Sequence, residues 1–340
     1  MIYIETGSVS PAVNLAYEEY FFKKAALQDD AFMLWQDEPA VVIGRFQNIW
    51  GEVDLAYAQE HQIQVLRRIS GGGAVYHDLG NLCFTFIVRG IAPGDLDPPR
   101  YTRLAQAALV RLGIPAETNE RNDLLLEGKK IGGTAMALQK GRLLFHGTLL
   151  FDSHLDWLRA ALSAPAWKVE SPGTQSRRSA VTTIRSSSRV FSDMAAFKQG
   201  MKKALFEDQP VVEHAPAPAE AAEILALAGG KYRGWEWNYG ANPAAKIEMV
   251  YPFPEGELSI RLDTNRGEIL SAAIADTRYP GVHFAGVASR LEQVRYDRSE
   301  IEKAFEGIAW SPELCPIPKA EMLRYLMGSG PRRSPDSASI

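Results

Sequence analysis

Two stretches of the chain concentrate residue types able to grip and polarise an anion. The first is Arg67-Arg68-Ile69-Ser70-Gly71-Gly72-Gly73-Ala74-Val75-Tyr76-His77-Asp78. Consecutive glycines let backbone N–H groups approach a ligand unobstructed, and Arg68 three residues earlier offers a planar fork of donors that matches phosphate. The spacing is neither Gly-x-Gly-x-x-Gly nor Gly-x-x-x-x-Gly-Lys-Ser/Thr, so neither a dinucleotide fold nor a P-loop is indicated. A glycine triplet taken alone is equally a plain turn. The second stretch runs from Arg121-Asn122-Asp123 to Lys129-Lys130-Ile131-Gly132-Gly133-Thr134-Ala135. Lys130 beside a glycine pair places compact positive charge where negative charge grows on phosphorus during attack by a carboxylate. Asp123 offers oxygen to a magnesium ion bridging nucleotide oxygens. The plainer reading makes Lys129 and Lys130 a solvated hairpin edge and Asp123 a turn residue. A third segment, Leu143-Leu144-Phe145-His146-Gly147-Thr148-Leu149-Leu150, carries one histidine in a β-like apolar run. A lone histidine of this kind is more often a satisfied core residue than a catalyst, and no Ser or Cys elbow accompanies it.

The elements that must hold these segments follow from periodicity. Val13, Ala16, Tyr17, Tyr20 and Phe21 fall on one face of a helix beginning near Asn14. Residues 39–44 read as a short buried strand, and Leu82, Phe84, Phe86 and Val88 share a strand face after a turn at Leu79-Gly80-Asn81. Glu127-Gly128 separates two extended runs as a hairpin. Strands and helices mix without a βαβ rhythm, so the fold class expected is α+β with a mixed, largely antiparallel sheet. Residues 172–189 are rich in Ser, Thr and Arg and suggest a mobile loop. Ala215-Pro216-Ala217-Pro218 interrupts helical patterns, and Gly229-Gly230 precedes Trp235-Glu236-Trp237-Asn238-Tyr239-Gly240. The expected organisation is a large domain over residues 1–228, a linker over 229–246, a small α+β module over 247–327 and a disordered tail over 328–340. Within the module, Leu258, Ile260 and Leu262 alternate up to a turn at Asn265-Arg266-Gly267, and an amphipathic helix starts near Ser299.

Bulk properties exclude several classes. With 340 residues, 46% hydrophobic and 23% charged, the chain has the composition of a folded globular protein. A net charge of −4 offers no clustered basic footprint for nucleic acid. Two cysteines, Cys83 in a strand pattern and Cys315 in a proline-rich turn, make neither a disulfide framework nor a zinc site. The absence of a leader-like or membrane-spanning apolar run points to the cytoplasm and away from membranes.

Taken in this order and spacing, the segments resemble the lipoate-protein ligase family, in its long form with an accessory C-terminal domain. Residues 68–78 are similar to its Arg-x-Ser-Gly-Gly-Gly-Ala-Val-Tyr/Phe-His-Asp motif, continued by Gly80-Asn81 and Phe84-Thr85-Phe86. Asn122-Asp123, Lys130 and His146-Gly147-Thr148 match two further motifs, Asn14-Leu15-Ala16 through Glu18-Glu19 and Gly44-Arg45-Phe46-Gln47-Asn48 the N-terminal ones, and Trp235 to Gly240 with Asn242-Pro243 the start of the accessory domain. The resemblance implies a biotin ligase-like catalytic fold over residues 1–228. It implies ATP and Mg2+ as requirements, with no tightly bound organic cofactor. Arg68, Gly71, Gly72, Gly73, Ala74, Val75 and Tyr76 would then hold the phosphate and adenosine. Lys130 would lie between the acyl carboxylate and the α-phosphate, Asn122 and Asp123 would contact adenine or metal, and His146 would belong to the lipoate site. Lipoate or octanoate would be the acid. The acyl acceptor would be a lysine on a lipoyl domain of a 2-oxoacid dehydrogenase E2 subunit or on glycine cleavage H protein, and the enzyme a monomer.

The chain departs from the family pattern after Lys130. The usual run is Lys-Ile/Val-Ser-Gly-Ser-Ala followed shortly by arginine, whereas here it is Lys130-Ile131-Gly132-Gly133-Thr134-Ala135-Met136-Ala137, lacking a hydroxyl and a guanidinium. The serine-rich stretch near Ser186 is also atypical. Two alternatives stay open at this point: an ATP-independent octanoyl or lipoyl transferase of the same fold using a cysteine nucleophile, and a silent lipoate- or nucleotide-binding protein.

Overall fold

The computed structural model describes residues 1–24, 27–163, 167–207 and 211–330. The chain divides into two compact units. The first comprises Met1–Arg45, Gln62–Ala160 and Ser176–Asn238, and the second Phe46–His61, Ala161–Gln175 and Tyr239–Ile340. The segment expected as a linker is thus shared, residues 229–238 lying in the first unit and 239–246 in the second. Gly229 and Gly230 sit in a π-helical turn, Ala228–Tyr232, that continues the helix Pro218–Leu227 and carries Tyr232 into the core. Of the tail expected to be disordered, residues 331–340 lie outside the described residues.

The first unit is built on a six-stranded sheet in the order Thr134–Gln139, Arg142–Leu150, Asn81–Val88, Ala31–Trp35, Ile2–Ile4, Val212–His214. The first four run antiparallel to their neighbours and the last two join in parallel, so the sheet is mixed, as the lack of βαβ rhythm implied. Asn81–Val88 occupies a central position, and its alternation feeds two cores rather than one buried and one wet face. Leu82, Phe84 and Phe86 pack with Tyr101 of the helix Pro98–Arg111 and Phe197 of Met194–Leu205, while Cys83 and Ile87 pack with the helix Pro11–Lys23 on the opposite side. That helix begins earlier than the periodicity suggested, because Pro11 at its first position supplies a preset φ. It is buried almost all round, including Asn14, Glu18 and Glu19. A three-stranded sheet, Gln64–Arg67, Ala40–Ile43 and Val75–His77, and the hairpin Leu124–Leu126/Lys129–Gly132 present the two chemical segments. The hairpin turns at Glu127 and Gly128, φ 51° and 73°, as its sequence indicated.

Glu19 illustrates how the helix is fixed. Its carboxylate receives Lys23 Nζ at 2.8 Å, Lys231 Nζ at 2.6 Å and Tyr232 Oη at 2.6 Å. Burial alone would raise its pKa, but these three donors outweigh it and hold the carboxyl below the usual value of 4.5. Lys231, held low by burial, is protonated in acid whether folded or unfolded, so only Glu19 matters there. A depressed folded pKa stabilises above the unfolded value and ceases to do so as pH falls through the folded one. Glu19→Gln is therefore expected to lower stability at pH 7 by about 1.5–3 kcal/mol in denaturant titrations. The gap to the unaltered protein should narrow below about pH 4.5.

The second unit carries an antiparallel sheet, Lys168–Glu170, Ala245–Phe253, Gly256–Asn265 and Glu268–Asp276. Leu258, Ile260 and Leu262 are buried along one face, and the turn falls at Arg266-Gly267. The helix Arg298–Ala304 starts one residue before Ser299 under an Asp297 cap. Trp50, from the short helix Ile49–Glu52, packs on Tyr296 with ring centres 4.9 Å apart, which ties Phe46–His61 into this unit. Among the described residues no helix is long and apolar enough to cross a membrane.

Candidate active site

The glycine loop leaves the strand Gln64–Arg67 and returns as Val75–His77, paired antiparallel with Ala40–Ile43. Gly72 has φ +89°, in the left-handed region that favours glycine. A Cβ on Gly44 would stand 2.1 Å from the Gly72 carbonyl oxygen, so a bare Cα at 44 is what lets the loop lie against the end of the preceding strand.

Arg68 takes a different place from the one expected of a phosphate-gripping fork. It is buried, with Nε donating to Ser70 Oγ at 2.9 Å, Nη1 to Val42 O at 2.9 Å, and Nη2 to Gly71 O at 2.6 Å and Gly73 O at 2.7 Å. The loop folds its own carbonyls inward, and a guanidinium satisfies several of them at once. Arg67, also buried, binds Gly44 O, Arg45 O, Trp237 O and Asn238 O. Burial draws both arginines down to about 10, which leaves them cationic at neutral pH. Together they shape the loop from beneath. Its outward groups are Gly72, exposed, and Gly71, Gly73, Ala74 and Val75, half-buried, while Tyr76 is buried in the strand.

A directed hydrogen-bond chain supports the loop from the sheet. Ser70 Oγ lies 2.7 Å from His146 Nε2, and His146 Nδ1 lies 2.8 Å from Glu18 Oε1. Thr85 Oγ1 donates to the same Glu18 oxygen at 2.6 Å and accepts from Trp35 Nε1 at 2.9 Å. With His146 Nδ1 donating to Glu18, every group has a partner of the right sense: Arg68 donates to Ser70, Ser70 to His146, His146 to Glu18. His146 is thus a satisfied core histidine that also braces the glycine loop. Ser, His and Glu stand in the order of a hydrolase triad, but Ser70 is fully buried and its oxygen already accepts from Arg68, so no nucleophile is presented. Glu18, Ser70 and Thr85 fall inside the matched motifs, but the sequence assigns them no role. The available signal was Asn14 and Glu18, polar residues four apart on an otherwise apolar helix. Asn14 anchors a parallel set, donating to Asp37 Oδ1 at 2.8 Å, whose other oxygen meets His77 Nδ1 at 2.7 Å.

Lys130 turns back over Gly133, where a Cβ would meet its Nζ at 2.9 Å, and pairs with Asp123 Oδ1 at 2.7 Å. Ala135, two residues on, would touch a Gly72 Cβ at 3.5 Å, so the strand that follows the lysine runs against the glycine loop. Asp123 Oδ2 accepts from Asn119 Nδ2 at 3.2 Å, so both carboxylate oxygens are engaged. Asn122, with φ +59°, presents its carbonyl to the Thr134 hydroxyl at 3.1 Å. Among the described residues no three His, Cys, Asp or Glu side chains gather as a metal cage. The expectation that Asp123 holds magnesium therefore finds no built site, since one carboxylate already bound to an ammonium is a poor seat for a hard cation.

The stretch suggested as a mobile loop lies across both segments. Ser176 Oγ accepts the Ala74 N–H at 2.9 Å, and Ala180 O accepts the Lys130 N–H at 2.9 Å. Thr183 caps a short helix, Ile184–Ser187. Cys83 and Cys315 are both buried. Burial pushes the Cys83 thiol far up, with Asp37 and Glu18 adding to the shift, which is the reverse of what a thiolate nucleophile needs.

The model of the lipoyl protein ligase A/B catalytic domain matches residues 10–206. The chain is 32% identical over 312 residues to lipoate-protein ligase LplJ of Bacillus subtilis, covering 91% of this chain and 94% of that one. Lipoate-protein ligase A solved with bound ATP is similar with a TM-score of 0.57 and 28% identity, over 70% of this chain and 96% of that one. A bipartite lipoate protein ligase of Thermoplasma acidophilum, described with its E2 lipoyl domain, is similar with a TM-score of 0.58 and 26% identity, over 70% of this chain and 95% of that one. A match across more than half the chain, over a range that contains the segments that build the site, places the protein in the lipoyl protein ligase A/B catalytic-domain family.

Proposed function

We propose that the protein joins lipoate, or octanoate, to ATP as the acyl-adenylate and passes the acyl group to a lysine of a lipoyl carrier domain. The observation that carries this reading is that one strand start, Gly133 to Ala135, lies under the Lys130 ammonium at one end and against Gly72 at the other. Backbone N–H groups of Gly73 and Ala74 receive the α-phosphate, and Val75 and Asn122 line the nucleoside side, with Tyr76 buried behind them. A carboxylate oxygen attacks the α-phosphorus while the bond to the bridging oxygen breaks and pyrophosphate leaves with the electron pair. Lys130 exchanges Asp123 for the charge that grows between acid and phosphate. The carrier lysine, arriving as a free amine, then attacks the acyl carbon, AMP departs, and no covalent enzyme intermediate is required. Magnesium enters as part of the nucleotide substrate, and no step is assigned to a resident ion.

The ATP-bound relative supports the nucleotide, and the relative described with an E2 lipoyl domain supports the class of acceptor. E2 subunits and glycine cleavage H protein are the proposed carriers, and the cytoplasm the proposed location. The buried state of both cysteines speaks against the transferase alternative. Lipoate-dependent exchange of labelled pyrophosphate into ATP tests the reading. Exchange that requires both acid and enzyme is expected; acyl transfer to a carrier from a donor carrier without ATP would replace it by the transferase, and nucleotide binding with no exchange by a silent binder.

A further inference from the structure

We infer that Arg177 and Arg178 bind the β- and γ-phosphates of the nucleotide and the pyrophosphate that leaves. The inference rests on the proposed adenylation and deepens it by naming where the outer phosphates find their positive charge. Three nearer sources are engaged or missing. Arg68 is held by the carbonyls of its own loop. Lys130 pairs with Asp123 and is the cation proposed for the α-phosphate. The run Gly132-Gly133-Thr134-Ala135-Met136-Ala137 supplies no guanidinium.

The strap over the site supplies two. Before nucleotide binds, Ser176 holds the Ala74 N–H; the hold of Ala180 O on the Lys130 N–H is untouched when the phosphate takes that place, so residues 177–179 stay between the glycine loop and the lysine. Four residues span at most about 14 Å, which keeps both arginines within reach of each anchor. Both are exposed, and neither guanidinium has a hydrogen-bonding or ionic partner among the described residues. Arg185, farther along, is by contrast tied to Asp152 at 3.3 Å. A pair of free guanidiniums at the rim of a phosphate loop provides the planar forks that match phosphate oxygens, and their charge offsets that of the departing pyrophosphate.

The test compares the full chain with Arg177→Ala/Arg178→Ala and with the double lysine variant, in lipoate-dependent pyrophosphate exchange. KM for ATP and KM for inorganic pyrophosphate should both rise roughly 10- to 100-fold in the alanine variant, the loss expected for charge-assisted contacts to phosphate. The inhibition constant of AMP, the KM for lipoate and the thermal midpoint should stay unchanged, and lysines should restore part of the loss. Equal weakening of AMP and pyrophosphate, or a change confined to the KM for the carrier, would overturn the assignment, the latter marking a docking surface for an acidic carrier instead. If the unaltered protein catalysed no exchange, the adenylation reading would fall and this inference with it; exchange that the variants leave untouched would remove the inference alone.

Discussion

Lys130→Ala is expected to slow acyl-adenylate formation about 10²–10³-fold, the usual consequence of deleting one group aimed at developing charge. The folded state should tolerate the change, because the side chain is a quarter exposed and its ion pair with Asp123 is open to solvent screening. The defect should therefore appear in kcat of pyrophosphate exchange, with the thermal midpoint nearly constant. Asp123→Ala should behave differently. It removes the partner that holds the ammonium in the absence of substrate, and with it the Asn119 contact that shapes the turn, so a smaller kinetic loss should accompany a measurable loss of stability.

The second large effect belongs to Glu18. Its carboxylate is buried and terminates donations from His146 and from Thr85. Glu18→Ala leaves two buried donors without an acceptor, and unfolding in denaturant should show a loss of about 2–4 kcal/mol. Because the same chain continues through Ser70 to Arg68, the altered protein should also bind ATP more weakly than the loss of a remote core contact would explain. Glu18→Gln retains an acceptor oxygen and should recover more than half of the stability. Equal behaviour of the two variants would contradict a directed chain ending on that carboxylate.

What could be read from the residues and what could not divides along sequence distance. Local signals held: the hairpin at Glu127-Gly128, the buried strand Ala40–Ile43 and the turn at Arg266-Gly267 each depend on a few neighbouring residues. The strand Asn81–Val88 was legible as a strand but not as a central one, since burial of Cys83, Thr85 and Ile87 depends on a helix some 60 residues earlier. The division into units was least legible. Phe46–His61 joins the C-terminal unit across nearly 200 residues, and Gly229-Gly230, a breaker by composition, continues a helix because Tyr232 is drawn into the core.

The site shows the same division. The glycine triplet and Lys130 announce themselves by type and spacing, yet the role of Arg68 turned on where the loop carbonyls point. Ser70, His146 and Glu18 meet from positions 76 and 128 residues apart, a distance over which side-chain types say nothing about contact. The recurrence of Asn14 and Glu18 four residues apart on a largely apolar helix hinted that buried partners awaited them.

A structure of the protein with a non-hydrolysable lipoyl-adenylate analogue addresses the central claim most directly. The account predicts the phosphate within ~3 Å of both Lys130 Nζ and the Ala74 N–H, with Ser176 displaced from that N–H. An adenylate bound away from Gly72, or one that leaves Lys130 on Asp123 and out of reach of the phosphate, would contradict it.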